Sequence, residues 1–225
     1  MPEPGGEIDP YEEYAVEGPW LRIGMVMSVD GSVTDEEGWT DGLGGDADFR
    51  VFRTLRALAD GIMIGAATVR TGLIGPAKLN AEMRRRRGRP PAPIIVVSRS
   101  LDLDWSAPLF QSGDPIVVTS DNAKVPSGIR VVSAGYGDVD LPEAVRILRE
   151  EYGLQHLLCE GGPALTTSIL QEGLADELCL NVAPTLIGSR DHTRLLGDTG
   201  RQELKLDAVY AGDQVLFLRY RVEGL

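Results

Sequence analysis

The chain of 225 residues has only two cysteines, Cys159 and Cys179, and only two histidines, His156 and His192. Both cysteines sit inside apolar runs, which reads as buried, reduced thiols and not as a disulfide framework. Neither histidine stands at ligand spacing from a cysteine, so no metal centre is expected. Basic residues are scarce as well. The 22 Lys and Arg against 34 Asp and Glu leave a formal net charge of −12. So acidic a surface excludes a general nucleic-acid or anionic-membrane binder, but not a small anion held by a few local donors. No apolar run is long enough to span a bilayer, and the acidic start lacks the apolar core of a secretory signal. A cytoplasmic protein is the expectation. Internal repeats and low-complexity runs are absent.

What is present is an alternation of apolar runs and amphipathic stretches. Its most informative piece is residues 156–170, HLLCEGGPALTTSIL. Leu157, Leu158 and Cys159 predict a short buried strand, Glu160 closes it, and Gly161, Gly162 and Pro163 turn the chain into a helix bearing Leu165, Ile169 and Leu170 on one face. A helix start leaves backbone N–H groups without intrahelical partners and carries the positive end of the dipole. Glycines there let an anion approach the backbone, so the junction reads as a phosphate or dinucleotide cradle. Thr166, Thr167 and Ser168 bring hydroxyls to the same place. The plain alternative is an ordinary strand-to-helix junction. Glu160 favours the cradle, because a carboxylate beside an anion site needs a ligand donor or a proton to justify it.

In chain order, residues 1–19 predict a surface arm rich in Pro, Gly and Glu, pinned by Tyr11 and Tyr14, and residues 20–225 form one domain. Residues 20–29 predict a central strand, ended by Asp30 before a glycine turn. That aspartate is either an Asx-turn former or a ligand contact. Residues 33–45 form a long loop. Residues 46–59 predict a helix capped by Asp46, with Phe49, Phe52, Leu55 and Leu58 on its apolar face. A strand at 60–65 runs into a turn at 66–70, where Thr68 faces a possible anion site. The block RRRRGR at 84–89 reads as a solvated loop tip or a docking patch. A strand at 93–97 ends in Ser98-Arg99-Ser100, a group able to grip a 2′-phosphate or simply to make a polar turn. Strands at 115–119 and 129–132, a helix at 141–152, a strand at 178–186 interrupted by Pro184, and a hairpin of 204–211 and 215–222 turning at Gly212-Asp213 complete the chain. Strands alternating with helices imply an α/β fold: a mainly parallel central sheet flanked by helices, with an antiparallel C-terminal hairpin.

The segments MVMSVDG, FRVFRTLRALADGIMIGAATVR, IIVVSRS, LLCEGGPALTTSIL and LADELCLNVAPTLIG, in this order, resemble the reductase domain of the riboflavin-biosynthesis deaminase–reductase family. The stand-alone pyrimidine reductases of that group are most similar, since the zinc-deaminase pattern of H-x-E with P-C-x-x-C is missing. The resemblance implies a dihydrofolate-reductase-like fold. It also implies NADPH-dependent reduction of 5-amino-6-(5-phosphoribosylamino)uracil to its ribityl product by a homodimer. It places NADPH against Met27, Gly65, Thr68, Ser98, Arg99, Gly161, Gly162, Pro163, Ala164, Leu165 and Thr166. Asp30 and Glu160 become catalytic, and Arg56 joins them in holding the substrate. Two positions depart from the family pattern. Gly24 stands where a lysine is common, and no carboxylate occurs near Gly72. A pterin reductase of the same fold and a non-catalytic NADPH-binding protein are the competing readings.

Overall fold

The computed structural model describes residues 9–40, 43–71, 74–121, 124–190 and 192–223. The first eight residues of the arm and Gly72 lie outside them. The strands are β1 (Trp20–Ser28), β2 (Gly61–Gly65), β3 (Ile94–Val97), β4 (Ile116–Asp121), β5 (Arg130–Tyr136), β6 (His156–Cys159), β7 (Glu177–Ala183), β8 (Leu204–Gly212) and β9 (Val215–Val222). The helices are α1 (Pro10–Glu13), α2 (Gly45–Leu58), α3 (Ala66–Thr71), α4 (Ala81–Arg87), α5 (Pro108–Ser112), α6 (Leu141–Glu150) and α7 (Pro163–Gln171). All the strands share one sheet in the order β5-β4-β3-β2-β6-β1-β7-β9-β8. Every pairing from β5 to β7 is parallel, and only β7–β9 and β8–β9 are antiparallel.

The parallel strands carry unbroken apolar runs because both sheet faces are covered. Successive side chains divide between the two cores as the pleat requires. Ile62, Ile64 and Leu158 pack with Val51 and Leu55 of α2 and Leu109 of α5. Met63, Leu157 and Cys159 pack with Leu148 of α6 and Ile169 of α7. β6 returns late in the chain to enter between β2 and β1, so the winding of the sheet reverses there. A crevice outside the carboxyl ends of such strands is where open α/β sheets bind ligands.

An ionic cluster ties the N-terminal segment to the hairpin. Glu177, fully buried, accepts from Arg22 Nε at 2.5 Å and Arg219 Nε at 2.8 Å. The same arginines donate to the carbonyls of Tyr14 at 2.8 Å and Glu13 at 2.6 Å. Tyr14 is buried beneath both guanidiniums. Burial pushes the Glu177 carboxyl up, but the two guanidiniums outweigh it and hold its pKa below the ordinary value.

Several local expectations need correction. Helix α2 starts at Gly45 behind Gly44, and no side chain caps it, so Asp46 is not the cap. Its buried face is Ala47, Val51, Thr54 and Leu55, while Phe49 and Phe52 are only half-buried. Residues 66–70, read as a turn, belong to helix α3. The basic block is mostly helix α4 and not a loop tip, with Arg84 and Arg85 exposed. Arg86 pairs with Asp9 at 2.7 Å, Arg87 donates to the carbonyl of Ala57 at 2.7 Å, and Arg89 pairs with buried Asp60. Strand β7 stops at Ala183, before Pro184. The hairpin turns on Asp213 and Gln214, both at positive φ, one residue later than expected. Val215 and Phe217 of the hairpin face the core, and its exposed large apolar side chains are Leu204, Leu206, Val209 and Leu216. Among the described residues no helix is long and apolar enough to cross a membrane.

Candidate functional site

Two concavities are lined by residues just past the carboxyl end of β6, Gly162 in one and Glu160 in the other. The larger is a crevice of about 660 Å³ between the start of α7, the start of α3 and the end of β3. Gly65, Ser98, Arg99, Gly162, Pro163, Ala164 and Leu165 line it, so seven of the expected cofactor positions converge. Pro163 opens α7 and has no N–H, which leaves the amides of Ala164 and Leu165 as the unpaired donors of the first turn.

The inner floor is glycine for reasons of space. Gly161 has φ +90°, and a Cβ there would meet Met25 Sδ at 3.0 Å. A Cβ on Gly162 would come within 3.3 Å of Thr68 Oγ1, and the carbonyl of Gly161 accepts from Gly65 N at 2.8 Å. The bond between Gly161 and Gly162 is cis. The helix hydroxyls bond back to carbonyls of their own first turn, although Ser168 also lines the crevice. Thr166 bonds back to the Gly162 carbonyl at 3.2 Å, Thr167 to that of Pro163 at 2.6 Å and Ser168 to that of Ala164 at 3.1 Å. Thr166 is wholly buried. Gly161, Thr68 and Thr166 therefore shape the floor from behind, and Met27 lies at the half-buried end of β1.

At the outer end, Ser98 is buried and its hydroxyl accepts from Leu101 N at 3.1 Å. Arg99 and Arg70 bring two guanidiniums to the crevice, with Ser100 between the loops. Arg99 Nη1 lies 3.5 Å from Asp138 Oδ2, and Arg70 Nη1 donates to the Asp102 carbonyl at 3.1 Å. Arg70 and Asp138 escaped the sequence reading. Arg70 lay in a stretch taken for a turn, and Asp138 comes from a loop with no motif.

The smaller pocket, about 100 Å³, lies on the α2 side and is lined by Gly24, Met25, Val26, Thr40, Asp48, Phe49, Phe52, Leu55, Glu160, Cys179 and Asn181. Glu160 and Arg56 do not point at separate ligand groups. They form a fork, with Nε to Oε1 at 2.6 Å and Nη2 to Oε2 at 2.6 Å. Arg56 also stacks on the ring of Phe52 at 4.2 Å. At the position where a lysine is common, Gly24 meets Leu55; a Cβ there would lie 3.0 Å from Leu55 Cδ1. Both thiols are inert at neutral pH: burial pushes Cys159 up to about 11 and Cys179 up to about 12.

The Asp30 carboxylate accepts hydrogen bonds from outside its own turn as well as from Ser28. Its Oδ1 accepts from Ser28 Oγ at 2.6 Å and Ile187 N at 3.2 Å, and its Oδ2 accepts from Gly188 N at 2.7 Å. The Ser28 hydroxyl first, then the two amides, hold its pKa at about 2. The carboxylate thereby bridges Ser28, at the end of β1, to the loop at 187–188.

A helix start and glycine floor at the reversal of a mostly parallel sheet, with an antiparallel hairpin at one edge, define a dihydrofolate-reductase-like domain. The model of the RibD C-terminal domain matches residues 19–218. The chain belongs to that family, and it is an oxidoreductase of riboflavin biosynthesis. It is 27% identical over 219 residues to the 2,5-diamino-6-ribosylamino-4(3H)-pyrimidinone 5′-phosphate reductase of Methanothermobacter thermautotrophicus, covering 92% of this chain and 99% of that one. The reductase of the same name from Aquifex aeolicus is 28% identical, over 84% of this chain and 88% of the relative. A pyrimidine reductase-like protein from Corynebacterium diphtheriae superposes with a TM-score of 0.77 at 27% identity, covering 91% and 92% of the two chains.

Proposed function

We propose that the chain is an NADPH-dependent reductase of a 5-amino-6-ribosylaminopyrimidine 5′-phosphate, yielding the ribityl product. One observation carries the reading: Glu160 lines the small pocket while Gly162, two residues further on, lines the crevice. The amides of Ala164 and Leu165 at the start of α7 would hold the diphosphate of a dinucleotide in the crevice. The cofactor supplies hydride. The chain's task is orientation. Gly161 and Gly162 let the reacting ring approach the backbone, Phe49 and Phe52 flank the pyrimidine, and the Glu160–Arg56 fork holds substrate polar groups in register. Arg99 and Arg70 favour the 2′-phosphate of NADPH over the bare ribose of NADH.

The resemblance suggests the uracil ring, whereas the relatives' names carry the diamino ring. Both belong to the class proposed. We place the enzyme in the cytoplasm as a homodimer joined through the hairpin edge bearing Leu204, Leu206, Val209 and Leu216, whose exposed apolar side chains a second copy would cover. Light scattering at micromolar concentration should give twice the chain mass. The function is tested by NADPH oxidation with synthetic ribosylaminopyrimidine phosphates, with dihydrofolate as control. Turnover of the former alone supports the reading. NADPH binding without oxidation of any of them overturns it.

A further inference from the structure

Charges of both signs line the crevice. Arg70 and Arg99 are cations, Asp138 and Glu172 anions. Glu172 stands at the C-terminal end of α7, a helix length from the amides at its start. Asp138 instead faces Arg99, with Oδ2 3.5 Å from Nη1, and both side chains are largely exposed. The backbone fixes this approach. Asp138 Oδ1 accepts from Val139 N at 2.9 Å, which anchors the carboxylate and leaves Oδ2 to the guanidinium. The loop turns on Gly135, at φ +82°, where a Cβ would meet the Asp138 carbonyl oxygen at 2.5 Å. Below it, Asp140 caps α6 by accepting from Glu143 N at 2.9 Å, and Glu143 Oε2 accepts from Gly135 N at 3.1 Å. A loop braced at both ends thus carries the acid to the crevice.

Resting on the proposed function, we infer that Asp138 is a specificity-determining residue: it competes with a 2′-phosphate for Arg99 and so holds down the preference for NADPH over NADH. A guanidinium that already faces a carboxylate has less to give an incoming phosphate, which must displace the acid or share the cation. The carboxylate also repels the phosphate directly. NADH brings no charge to this rim. Its ribose 2′-hydroxyl is a donor, and a carboxylate is the acceptor that dinucleotide sites commonly offer it. The same acid therefore weakens one nucleotide and suits the other. Exposure and salt limit the size of the effect to roughly three- to tenfold. Asp138 acts on nucleotide affinity, and no bond is made or broken at this rim.

The test measures Kd for NADPH and for NADH by fluorescence titration, in wild type, Asp138→Asn, Arg99→Met and the double mutant. Asn keeps an oxygen for the Val139 amide and drops the charge, so the melting temperature should scarcely move. Asp138→Asn should tighten NADPH by roughly three- to tenfold and leave NADH unchanged or weaker, raising the ratio of the two affinities. In the Arg99→Met background the gain should fall to about half or less, and at about 1 M salt it should fade. A ratio unchanged or lowered by Asp138→Asn overturns the inference, as does a gain undiminished without Arg99. Should Asp138→Asn fail to fold, Asp138→Ser, whose hydroxyl also accepts from an amide, goes through the same titrations and decides the matter. The NADPH reading is judged separately, on wild type. A wild type that prefers NADH refutes that reading, while the change in ratio still judges Asp138. A wild type that binds neither nucleotide overturns both.

Discussion

Replacing Glu160 by Gln tests whether the fork with Arg56 is one structural unit. The side chains are 8% and 20% exposed, so solvent screens the pair only partly. Hydrogen bonds to charged groups contribute about 1.5–3 kcal/mol each, and removing one member of a buried pair costs roughly 3–5 kcal/mol. Gln keeps one acceptor oxygen and loses the charge, so about 2 kcal/mol of stability should go. At roughly 2–4 °C per kcal/mol for a chain of this size, the melting temperature falls by about 4–8 °C. Arg56→Met should cost more, because it strands a carboxylate and gives up the stacking on Phe52, itself worth about 1 kcal/mol. The double mutant should show a coupling of about 1–2 kcal/mol in denaturant melts. Because Glu160 lines the small pocket, kcat/KM should drop by roughly 100-fold in the same protein. A melting temperature unchanged by Glu160→Gln, with coupling near zero, would refute the idea that the two side chains hold each other.

Gly161→Ala combines a left-handed φ with a 3.0 Å approach to Met25 Sδ, so it should weaken NADPH binding by about tenfold or more in a fluorescence titration, whereas Gly75→Ala, with open space around it, should not. Neither thiol should react with an aromatic disulfide reagent at pH 7 until denaturant is added, since burial holds both in the protonated form; immediate labelling of the native protein would contradict the packing around Cys159 and Cys179. The folded-state pKa of Glu177 is depressed, so its contribution is fully present above the ordinary glutamate range and is lost as pH falls through the lower folded value. Stability measured by urea melts should therefore decline with acidification, and Glu177→Gln should flatten that decline while lowering stability at pH 7 by about 3 kcal/mol.

The sheet was legible because parallel strands covered on both faces leave uninterrupted apolar runs, as in 61–65, 94–97 and 157–159. Helix α3 was not, because six residues with one buried apolar side chain, Val69, carry no periodic signal. Phe49 and Phe52 fit the apolar stripe of α2 by spacing alone. Their half-exposure follows from the small pocket, which only the folded chain creates. The glycine cradle could be read from local sequence, since its parts are contiguous. Asp48 and Asn181 could not, being 133 residues apart and brought together by α2 lying over β7. The arginine block misled for the same reason: its partners Asp9 and Asp60 are distant in sequence.

A single glycine separates Glu160 from Gly162, so the partition between the two chambers is barely one amino acid thick. Anyone redesigning this protein to accept a different nucleotide would do well to leave that partition alone and work at the far rim, around Arg99 and Asp138, where alterations are least felt by the neighbouring chamber.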